Sequence, residues 1–442
     1  MSYFVDQLNE QLRSSMRGLP QAGFLHSLDT EAAATQLARQ EESWIVPENG
    51  PIILNYAFMK DDHFPGYDPD VSDFTPLSAQ QRDGARLAMQ TWSDVTNVQF
   101  QEEDEGPADI FIGNAHLNNI EGGITWNYSA PDNHLFSANI WLTPSPLDSL
   151  PGNYPFHVMV HEIGHALGLA HPGNYDIQDE YIPSYNLDAA YLEDNSLYTS
   201  MSYWSEAYGG GDFGGTYTAG PMMDDITAIQ RIYGANSHAF AGNTTYGFNS
   251  NTDRDIYTFT SPDDKKAFCI YDSGGNDNLD VSGFTQDQII DLRPGAFSNV
   301  GGLLKNVSIA ENTTIENILS GSGNDILIGN DASNFIFAGD GDDIIYGGLG
   351  ADVLSGGSGS NVFVYLDIRD STPSAADCIM DFKQGIDRID LSAIVDHMNT
   401  TIHADYNTEY NVTDLWANTD GPEQFLIHIT GQIDLQTDLL ID

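Results

Sequence analysis

The chain has 442 residues, of which 15 are basic and 65 acidic, so its formal net charge at neutral pH is −50. A hydrophobic fraction of 40% with 11% aromatic residues suffices for packed cores and argues against global disorder. The charge argues against partners such as nucleic acid or an anionic membrane surface. It indicates either a very soluble, salt-adapted protein or one that binds calcium, and both can hold at once.

Cysteine content and apolar patterning limit the class of protein further. Cys269 and Cys378 stand far apart, which excludes a disulfide framework, and we expect packed thiols. No apolar run approaches the ~20 residues of a membrane-spanning helix. Residues 1–18 lack the apolar core of a signal peptide, so we expect a cytosolic protein or one exported by a route that recognises another part of the chain.

The first half of the chain predicts an α/β (α+β) domain over residues 21–235, preceded by a polar arm or short pro-segment over residues 1–20. Ser78 and Gln81 predict the capping box of its first strong helix. The predicted elements in chain order are a helix at 30–40, a strand at 51–59, the capped helix at 78–95, strands at 98–101, 109–113, 123–128 and 138–143, a long helix at 155–169, loops over 172–220, and a last helix that Asp224 caps and Gly234 ends.

The long helix carries the sequence His-Glu-Ile-Gly-His-Ala-Leu-Gly-Leu-Ala-His, from His161 to His171. Residues four apart share a helix face, so His161 and His165 can bind one metal ion. Gly168 can adopt a positive φ and turn the chain, so that His171 becomes a third ligand. Three neutral imidazoles leave one position of a zinc ion open, as a catalytic site requires, and Glu162 is the candidate general base.

A His-Glu-x-x-His sequence alone also occurs on ordinary solvated helix faces. The third histidine and the glycine at their fixed spacing favour zinc. Further along, the sequence Ser-Met-Ser-Tyr-Trp at 200–204 fits the Met-turn that accompanies this elongated motif in metzincins, so Met201 is predicted to lie beneath the histidines. Other histidines, such as His116 and His157, are expected to be ordinary surface or core residues.

The second half of the chain is rich in glycine and aspartate and repeats every nine residues from Ser320. The eighth position of five successive repeats is apolar: Leu327, Ile336, Ile345, Leu354 and Phe363. A glycine-rich turn followed by a three-residue strand is the unit of an all-β parallel β-roll, with the eighth residue inside. We predict this roll over 236–395, followed by a β region with a secretion signal over 396–442.

The sixth position of each repeat carries a carboxylate or an amide. Glycines let the turn backbone curl so that its carbonyls face an ion, and an aspartate completes an all-oxygen shell for Ca²⁺. The predicted ligands in these turns are Gly321, Gly323, Asp325, Gly339, Gly341, Asp343, Gly348, Gly350 and Asp352. Ligand sets should pair eighteen residues apart, as Asp325 does with Asp343.

The sequence resembles the serralysin family, secreted bacterial metzincins with a C-terminal repeats-in-toxin β-roll. Similar segments cover nearly the whole chain and include 161–173, 201–204, 224–236, 246–251, 306–310 and 385–392. The resemblance implies a secreted zinc endopeptidase of broad specificity, with His161, His165 and His171 as zinc ligands and Glu162 catalytic. It also implies that Tyr203 is a resting zinc ligand that swings away to stabilise the oxyanion.

The resemblance further implies calcium ligands outside the regular repeats, at Gly242, Thr244, Gly275, Asp277, Glu316, Asp370 and Asp377. Asn334 and Asn361 depart from the family's carboxylate, so their turns should bind calcium weakly or act as spacers. The strand at 138–143 would be the cleft edge along which an extended peptide pairs.

The implied partners are protein and peptide substrates, a type I ABC export machinery and a proteinaceous periplasmic inhibitor, for an enzyme expected to be a monomer. The family's export signal lies at the C-terminus, where this chain reads Asp-Leu-Leu-Ile-Asp, with one extra aspartate. Where calcium is scarce, carboxylate repulsion would keep the repeats unfolded for export. Outside the cell, calcium binding would drive their folding.

Two other classes of protein were weighed against a protease. A calcium-dependent adhesin would carry a degenerate histidine site, but His161, Glu162, His165 and His171 are all present. A repeat-bearing lipase would need a Gly-x-Ser-x-Gly sequence, and the chain contains none.

Overall fold

The computed structural model describes residues 2–19, 25–60, 71–104, 107–117, 122–145, 147–175, 183–395, 401–418 and 424–441. The chain divides into two compact units. The histidine unit comprises residues 17–239 and 265–273, and the repeat unit comprises residues 1–16, 240–264 and 274–442. Asp442, the last residue of the predicted export signal, lies outside the described residues.

The elements are numbered in chain order. The helices are α1 Tyr3–Ser14, α2 Thr30–Leu37, α3 Ala79–Val95, α4 Tyr154–Ala166, α5 Tyr185–Asp188, α6 Met223–Tyr233 and α7 Ser392–Val395. The strands of the histidine unit are β1 Ile52–Phe58, β2 Val71–Thr75, β3 Val98–Glu102, β4 Ile110–Leu117, β5 Gly123–Ser129, β6 Leu135–Leu142 and β8 Phe268–Ile270.

The strands of the repeat unit are mostly three residues long. They are β7 Thr245–Gly247, β9 Asn278–Asp280, β10 Ile289–Asp291, β11 Phe297–Ser298, β12 Val307–Ile309, β13 Asn317–Leu319, β14 Ile326–Ile328, β15 Phe335–Phe337, β16 Ile344–Tyr346, β17 Val353–Ser355, β18 Val362–Val364, β19 Asp377–Ile379, β20 Arg388–Asp390, β21 Thr401–Asn407, β22 Val412–Asn418, β23 Gln424–Thr430 and β24 Leu439–Leu440.

The histidine unit is built on a mixed sheet with helices packed on it, which agrees with the predicted α/β (α+β) class. Its strand order is β3-β1-β4-β6-β5, and β2 pairs with β4 outside this path. Strands β1, β3, β4 and β6 run parallel, whereas β5 is antiparallel to β6. The prediction that strand 138–143 forms the sheet edge is wrong. That segment lies in β6, which pairs with β4 and β5, and among the described strands β5 is the edge.

Helices α3 and α4 pack on each other in the histidine unit. The predicted capping box opens α3, because the Ser78 hydroxyl accepts from Gln81 N at 3.2 Å and Gln81 Oε1 accepts from Ser78 N at 3.0 Å. Trp92 on α3 is buried and donates its indole N–H to Val160 O on α4 at 3.0 Å. This bond and the surrounding core fix the helix that carries the histidines.

One predicted cap is wrong. Helix α6 begins at Met223 with Met222 as its N-cap, so Asp224 lies inside the first turn. Its carboxylate is engaged by Arg17 instead of by the backbone of its own helix.

The repeat unit confirms the parallel β-roll. Strands eighteen residues apart pair in register, as Ile326 does with Ile344 and Phe335 with Val353. The eighth residue of every repeat is buried: Leu327, Ile336, Ile345, Leu354 and Phe363. Two stacks of strands result, one in the order β10-β14-β16-β18-β20-β24 and one that runs from β7 through β9, β13, β15, β17 and β19 to β23, β22 and β21.

The repeat unit also contains a helix where a polar arm was expected. Helix α1 buries Val5 and Leu8 completely against apolar residues of the roll, such as Ile328 and Val362. Polar residues at the other positions of the segment obscured this short apolar face. Within the described part of the chain, no helix is long and apolar enough to cross a membrane. Both cysteines are free thiols.

Candidate metal centre

Three imidazole nitrogens converge in the histidine unit. His165 Nε2 lies 3.0 Å from His161 Nε2 and 3.0 Å from His171 Nε2, and the latter two are 3.2 Å apart. A tetrahedral zinc ion with Zn–N bonds of 2.0–2.1 Å separates its ligands by about 3.3 Å, so this donor set fits zinc. Gly168 has φ +95°, which ends the helix and brings His171 round as predicted.

A backbone carbonyl holds the other nitrogen of each ring. His161 Nδ1 lies 2.8 Å from Ser200 O, His165 Nδ1 2.7 Å from Leu169 O, and His171 Nδ1 3.1 Å from Tyr175 O. Carbonyl oxygens only accept hydrogen bonds, so each Nδ1 carries the proton and each Nε2 presents a lone pair to the centre. Burial, with the neighbouring imidazoles, holds the pKa of His161 well below its usual value, which keeps the ring neutral for a metal.

Glu162 directly follows His161 on α4 and is almost fully buried. Thr125 on β5 donates to Glu162 Oε2 at 2.7 Å, so that oxygen is oriented by the edge strand. A Cβ on Gly123 would lie 2.9 Å from Glu162 Oε1, so the glycine leaves this second oxygen room. Burial raises the pKa of Glu162 to about 8 in the absence of a metal charge. Nothing in the sequence pattern pointed to Thr125.

Met201 packs against the helix that carries the histidines. Met201 is fully buried, and a Cβ on Gly164 would lie 2.5 Å from Met201 Sδ, so the glycine inside the helix motif allows the sulfur to approach. Asp225 on α6 holds this turn, because it accepts from Ser200 N at 2.7 Å and from Ser200 Oγ at 2.8 Å. The sequence motifs identified Met201 but not the role of Asp225.

Tyr203 borders the histidine site. Its ring centroid lies 4.5 Å from that of His171, and its side chain is partly exposed. Tyr175 stacks on His171 at 5.5 Å and donates its hydroxyl to Asp194 at 2.7 Å. Among the described residues, His161, His165 and His171 are the one set of three side-chain metal ligands that converge.

The glycine-rich turns present buried carboxylates in a ladder. Asp343 Oδ1 accepts from Asp325 N, and Asp352 Oδ1 accepts from Asn334 N, both at 2.8 Å. The second oxygen of Asp343 and of Asp352 is buried and accepts no hydrogen bond within the part of the chain that the structure describes. Burial raises the pKa of each to about 7. Such orphaned oxygens fit a hard cation such as Ca²⁺.

Other predicted calcium ligands have protein partners of their own. Asp325 accepts from Gln288 N at 2.8 Å and contacts Ser320 Oγ, and its pKa is raised by burial to about 6. Asp370 accepts from Leu366 N at 2.7 Å and Asp367 N at 2.9 Å, which closes a 3₁₀ turn. The glycines of the regular turns, at 321, 323, 339, 341, 348 and 350, lie in tightly stacked turns where a side chain would collide with the backbone of a neighbouring turn.

The ligands implied before the repeats lie together. Thr244 N donates to Asp277 Oδ1 at 2.7 Å, and Asp277 N donates to Glu316 Oε2 at 2.7 Å. Thr244 Oγ1 donates to Gly242 O at 2.9 Å, and a Cβ on Gly275 would lie 2.6 Å from Asp277 Oδ1. After the repeats, Asp377 Oδ1 accepts from Asp352 N at 2.9 Å, so these two carboxylates are neighbours, and the pKa of Asp377 is raised to about 8, chiefly by burial.

Of the two asparagine turns, the Asn334 turn differs from the aspartate turns and the Asn361 turn resembles them. Asn334 Nδ2 donates to Glu316 O at 2.8 Å and to Asn330 Oδ1 at 3.0 Å, so an amide proton occupies the direction that an aspartate oxygen would offer a cation. Asn361 Oδ1 accepts from Asp343 N at 3.1 Å, and its Nδ2 is buried with no hydrogen-bond partner among the described residues.

Comparison with known proteins adds independent support. The matrixin family model matches residues 70–189, and the model for the C-terminal domain of peptidase M10 serralysins matches residues 235–441. The chain is 41% identical to serralysin of Proteus mirabilis over 94% of both chains. It is 48% identical to metallopeptidase AprA of Pseudomonas marginalis over 83% of this chain and 79% of that one, and 42% identical to serralysin C of Dickeya chrysanthemi over 94% and 91%.

The edge strand of the sheet orients a buried glutamate, three imidazoles converge, and a buried methionine lies against the same helix. Together with the matrixin match, this arrangement defines a zinc metalloendopeptidase of the metzincin class. The identity with serralysins extends over most of the chain, so the chain belongs to the serralysin family. Its substrates are accordingly proteins, and zinc is the metal of its catalytic site.

Proposed function

We propose that the chain is a secreted endopeptidase of broad specificity, in which Glu162 is the general base and calcium stabilises the glycine-rich roll. The observation that carries the catalytic part is the convergence of three Nε2 atoms within 3.2 Å of one another, each ring fixed through Nδ1 by a backbone carbonyl. This arrangement is neutral, preorganised and adjacent to a buried carboxylate.

His161, His165 and His171 would hold the zinc ion, which when bound supplies a Lewis acid that acidifies water and polarises a peptide carbonyl. Glu162 Oε1 takes the proton from the attacking water and later delivers it to the leaving amine, while Oε2 stays bonded to Thr125. Tyr203 would donate its hydroxyl to the oxyanion, and this role is supported by its ring beside His171 and by its partial exposure, which gives the side chain room to move.

The substrate peptide would bind along β5. This strand is the described edge of the sheet and carries Thr125, so an extended peptide that pairs with it would run past Glu162. Backbone pairing recognises any sequence, which supports broad specificity.

Calcium would bind in the aspartate turns of the roll. The buried orphaned oxygens of Asp343 and Asp352 support this assignment, and so does the clustering of Gly242, Thr244, Gly275, Asp277 and Glu316. The hydrogen bonds of Asn334 support the expectation that its turn is a spacer. Folding on calcium would allow the chain to leave the cell unfolded through a type I ABC channel, with the C-terminal residues as its signal and a periplasmic proteinaceous inhibitor as a further partner.

The test of the proposed mechanism is casein hydrolysis by the wild type and by Glu162→Gln, with zinc content measured on both. We expect o-phenanthroline to stop casein hydrolysis by the wild type. Glu162→Gln should lose a factor of about 10²–10⁴ in kcat with zinc still bound. Glu409→Gln, at an exposed position in the repeat unit, is the matched control and should behave as the wild type. Full activity of Glu162→Gln would overturn the proposed mechanism.

A further inference from the structure

The histidine unit contains a buried ion pair that neither the sequence motifs nor the proposed mechanism uses. Arg17 Nη1 donates to Asp224 Oδ1 at 2.6 Å and Nη2 to Asp224 Oδ2 at 3.0 Å, a two-pronged contact between side chains that are 8% and 0% exposed. Arg17 Nε donates to Leu28 O at 2.8 Å, and the guanidinium lies 4.7 Å above the ring centre of Tyr198. The guanidinium is therefore fixed along its edge and on one face.

A pair of this kind is costly to break. Removing one partner of a buried ion pair leaves an uncompensated charge in the interior, which is strongly destabilising. By contrast, the exposed pair between Arg231, on the same helix as Asp224, and Glu31 joins side chains that are 45% and 70% exposed. Exposed pairs of that kind contribute little to stability.

The ion pair lies at the start of the chain of contacts that holds the Met-turn. Asp224 N donates to Tyr198 O at 3.0 Å, so the backbone of the same residue anchors the segment just before the turn. The next residue, Asp225, accepts from Thr199 Oγ1 at 2.5 Å and from Ser200 N at 2.7 Å.

The contacts continue into the metal site. Ser200, whose N–H and hydroxyl are both bonded to Asp225, offers its carbonyl to His161 Nδ1 at 2.8 Å. The orientation of the first zinc ligand thus depends on a turn that α6 holds through Asp225, and the position of this end of α6 depends on Arg17. Partners that orient a metal ligand in this way commonly change metal affinity or activity by about 10–100-fold when they are removed.

We propose that Arg17 is a positioning residue of the zinc site, which acts through Asp224, Asp225 and Ser200 on the orientation of His161. The inference rests on the proposed zinc peptidase function and adds to it a requirement on maturation. A cut that removed residues 1–20 would leave Asp224 buried without its charge partner. The active enzyme must therefore begin at or before Arg17, and residues 1–20 as a whole are not a removable pro-segment.

The test compares Arg17→Met and Arg17→Lys with Arg231→Met, all in the full-length, calcium-loaded protein. We expect Arg17→Met to bind zinc about 10–100-fold more weakly in a chelator competition and to lose kcat with KM changed less than twofold. Arg17→Lys should recover part of the zinc affinity, because it restores the charge but not the two-pronged contact. Arg231→Met removes the same charge from an exposed site and should match the wild type.

A second readout needs no activity and no zinc. In the zinc-free, calcium-loaded protein, amide exchange at Ser200 and Met201 should be faster in Arg17→Met than in Arg231→Met, because the turn has lost its support. Wild-type zinc affinity and wild-type exchange in Arg17→Met, even with lowered thermal stability, would show a structural role alone and overturn the proposal. An inactive wild type would instead refute the proposed function and leave the exchange comparison interpretable.

If Arg17→Met does not fold, the double variant Arg17→Met, Asp224→Asn replaces the pair with two neutral side chains. We expect it to fold, since neither half of the pair is left as an uncompensated buried charge, and to bind zinc at least about fivefold more weakly than the wild type. Wild-type zinc affinity in this variant would contradict the proposal.

The intact mass of the active protein after export provides the maturation test. An active form that begins after Arg17 would also overturn the proposal.

Discussion

In the histidine site, each imidazole has its second nitrogen 2.7–3.1 Å from a backbone carbonyl. In the aspartate turns of the roll, Asp343 and Asp352 each keep a buried oxygen that accepts no hydrogen bond among the described residues. The first region is complete without its ion apart from the lone pairs that face the centre. In the second region these carboxylate oxygens lack a partner, and no protein group in the described part of the chain supplies one.

The difference concerns what holds each region together. Zinc would enter a site that packing and backbone hydrogen bonds have already shaped, so its removal should cost catalysis more than structure. Calcium in the roll would offset buried negative charge, so its removal should cost structure directly. The Asn334 turn can be compared with the aspartate turns, because its side-chain amide makes two hydrogen bonds within the protein and needs no ion.

The largest expected effect is that the calcium-free roll loses stability as pH rises towards neutrality. Burial raises the pKa of Asp343 and Asp352 to about 7, well above the value in an unfolded chain. Without calcium, the folded roll therefore binds more protons than the unfolded chain. Its free energy of unfolding should fall by a few kcal/mol as pH rises from about 4 to 7.

Calorimetry of the metal-free protein between pH 5 and 8 measures this dependence. The transition of the roll should move to lower temperature as pH rises, and saturating calcium should suppress the shift. A metal-free roll that became more stable towards pH 7 would contradict the charge deficit.

Next in size is the effect of a side chain beneath the histidines. Gly164→Ala places a methyl group 2.5 Å from Met201 Sδ, and overpacking of this kind costs about 1–3 kcal/mol. We expect a lower melting temperature for the histidine unit and reduced casein hydrolysis, with the roll unaffected. Adding Met201→Ala should recover part of the stability, and no recovery would show that the sulfur is not the obstacle.

A smaller effect is expected from Asp352→Asn. This change gives the turn the sixth-position residue that Asn334 has naturally and removes one charge from the proposed calcium shell. Calcium affinity should fall by about tenfold, or about 1.4 kcal/mol, in a calorimetric titration. Asp331→Asn removes the same charge from an exposed position and should leave the titration unchanged. Equal effects of the two variants would indicate general charge attraction instead of a site.

The smallest effect is expected from Asn334→Ala. It removes the hydrogen bonds to Glu316 O and Asn330 Oδ1, and the loss should be about 1 kcal/mol, equal with and without calcium. Ser322→Ala, at an exposed position of the neighbouring repeat, is the control. A loss seen only with calcium present would mean that the Asn334 turn binds the ion after all.

Residue spacing predicted the convergence of the three histidines and the roll because both depend on local geometry. The four-residue step from His161 to His165, the positive φ of Gly168 and the nine-residue period all act within a few residues. The sheet edge was not predictable in this way. Whether β5 or β6 is outermost depends on which strand β4 pairs with, and both segments have strand-like sequences.

The contacts that complete the metal site could not be predicted for a related reason. The acceptors of the Nδ1 protons are backbone carbonyls, which every residue has, so Ser200 and Tyr175 carry no sequence signal for this role. Thr125 and Arg17 act across 37 and 207 residues of chain, on Glu162 and Asp224 respectively. Only the fold brings such pairs together.

The most direct test of the contrast between the two regions is hydrogen–deuterium exchange on metal-free protein to which zinc alone, calcium alone or neither is restored. Calcium alone should protect the strands β14 to β17, and α4 should stay protected in all three samples, with zinc affecting only activity. Full protection of these strands without calcium, or loss of protection in α4 without zinc, would contradict the account.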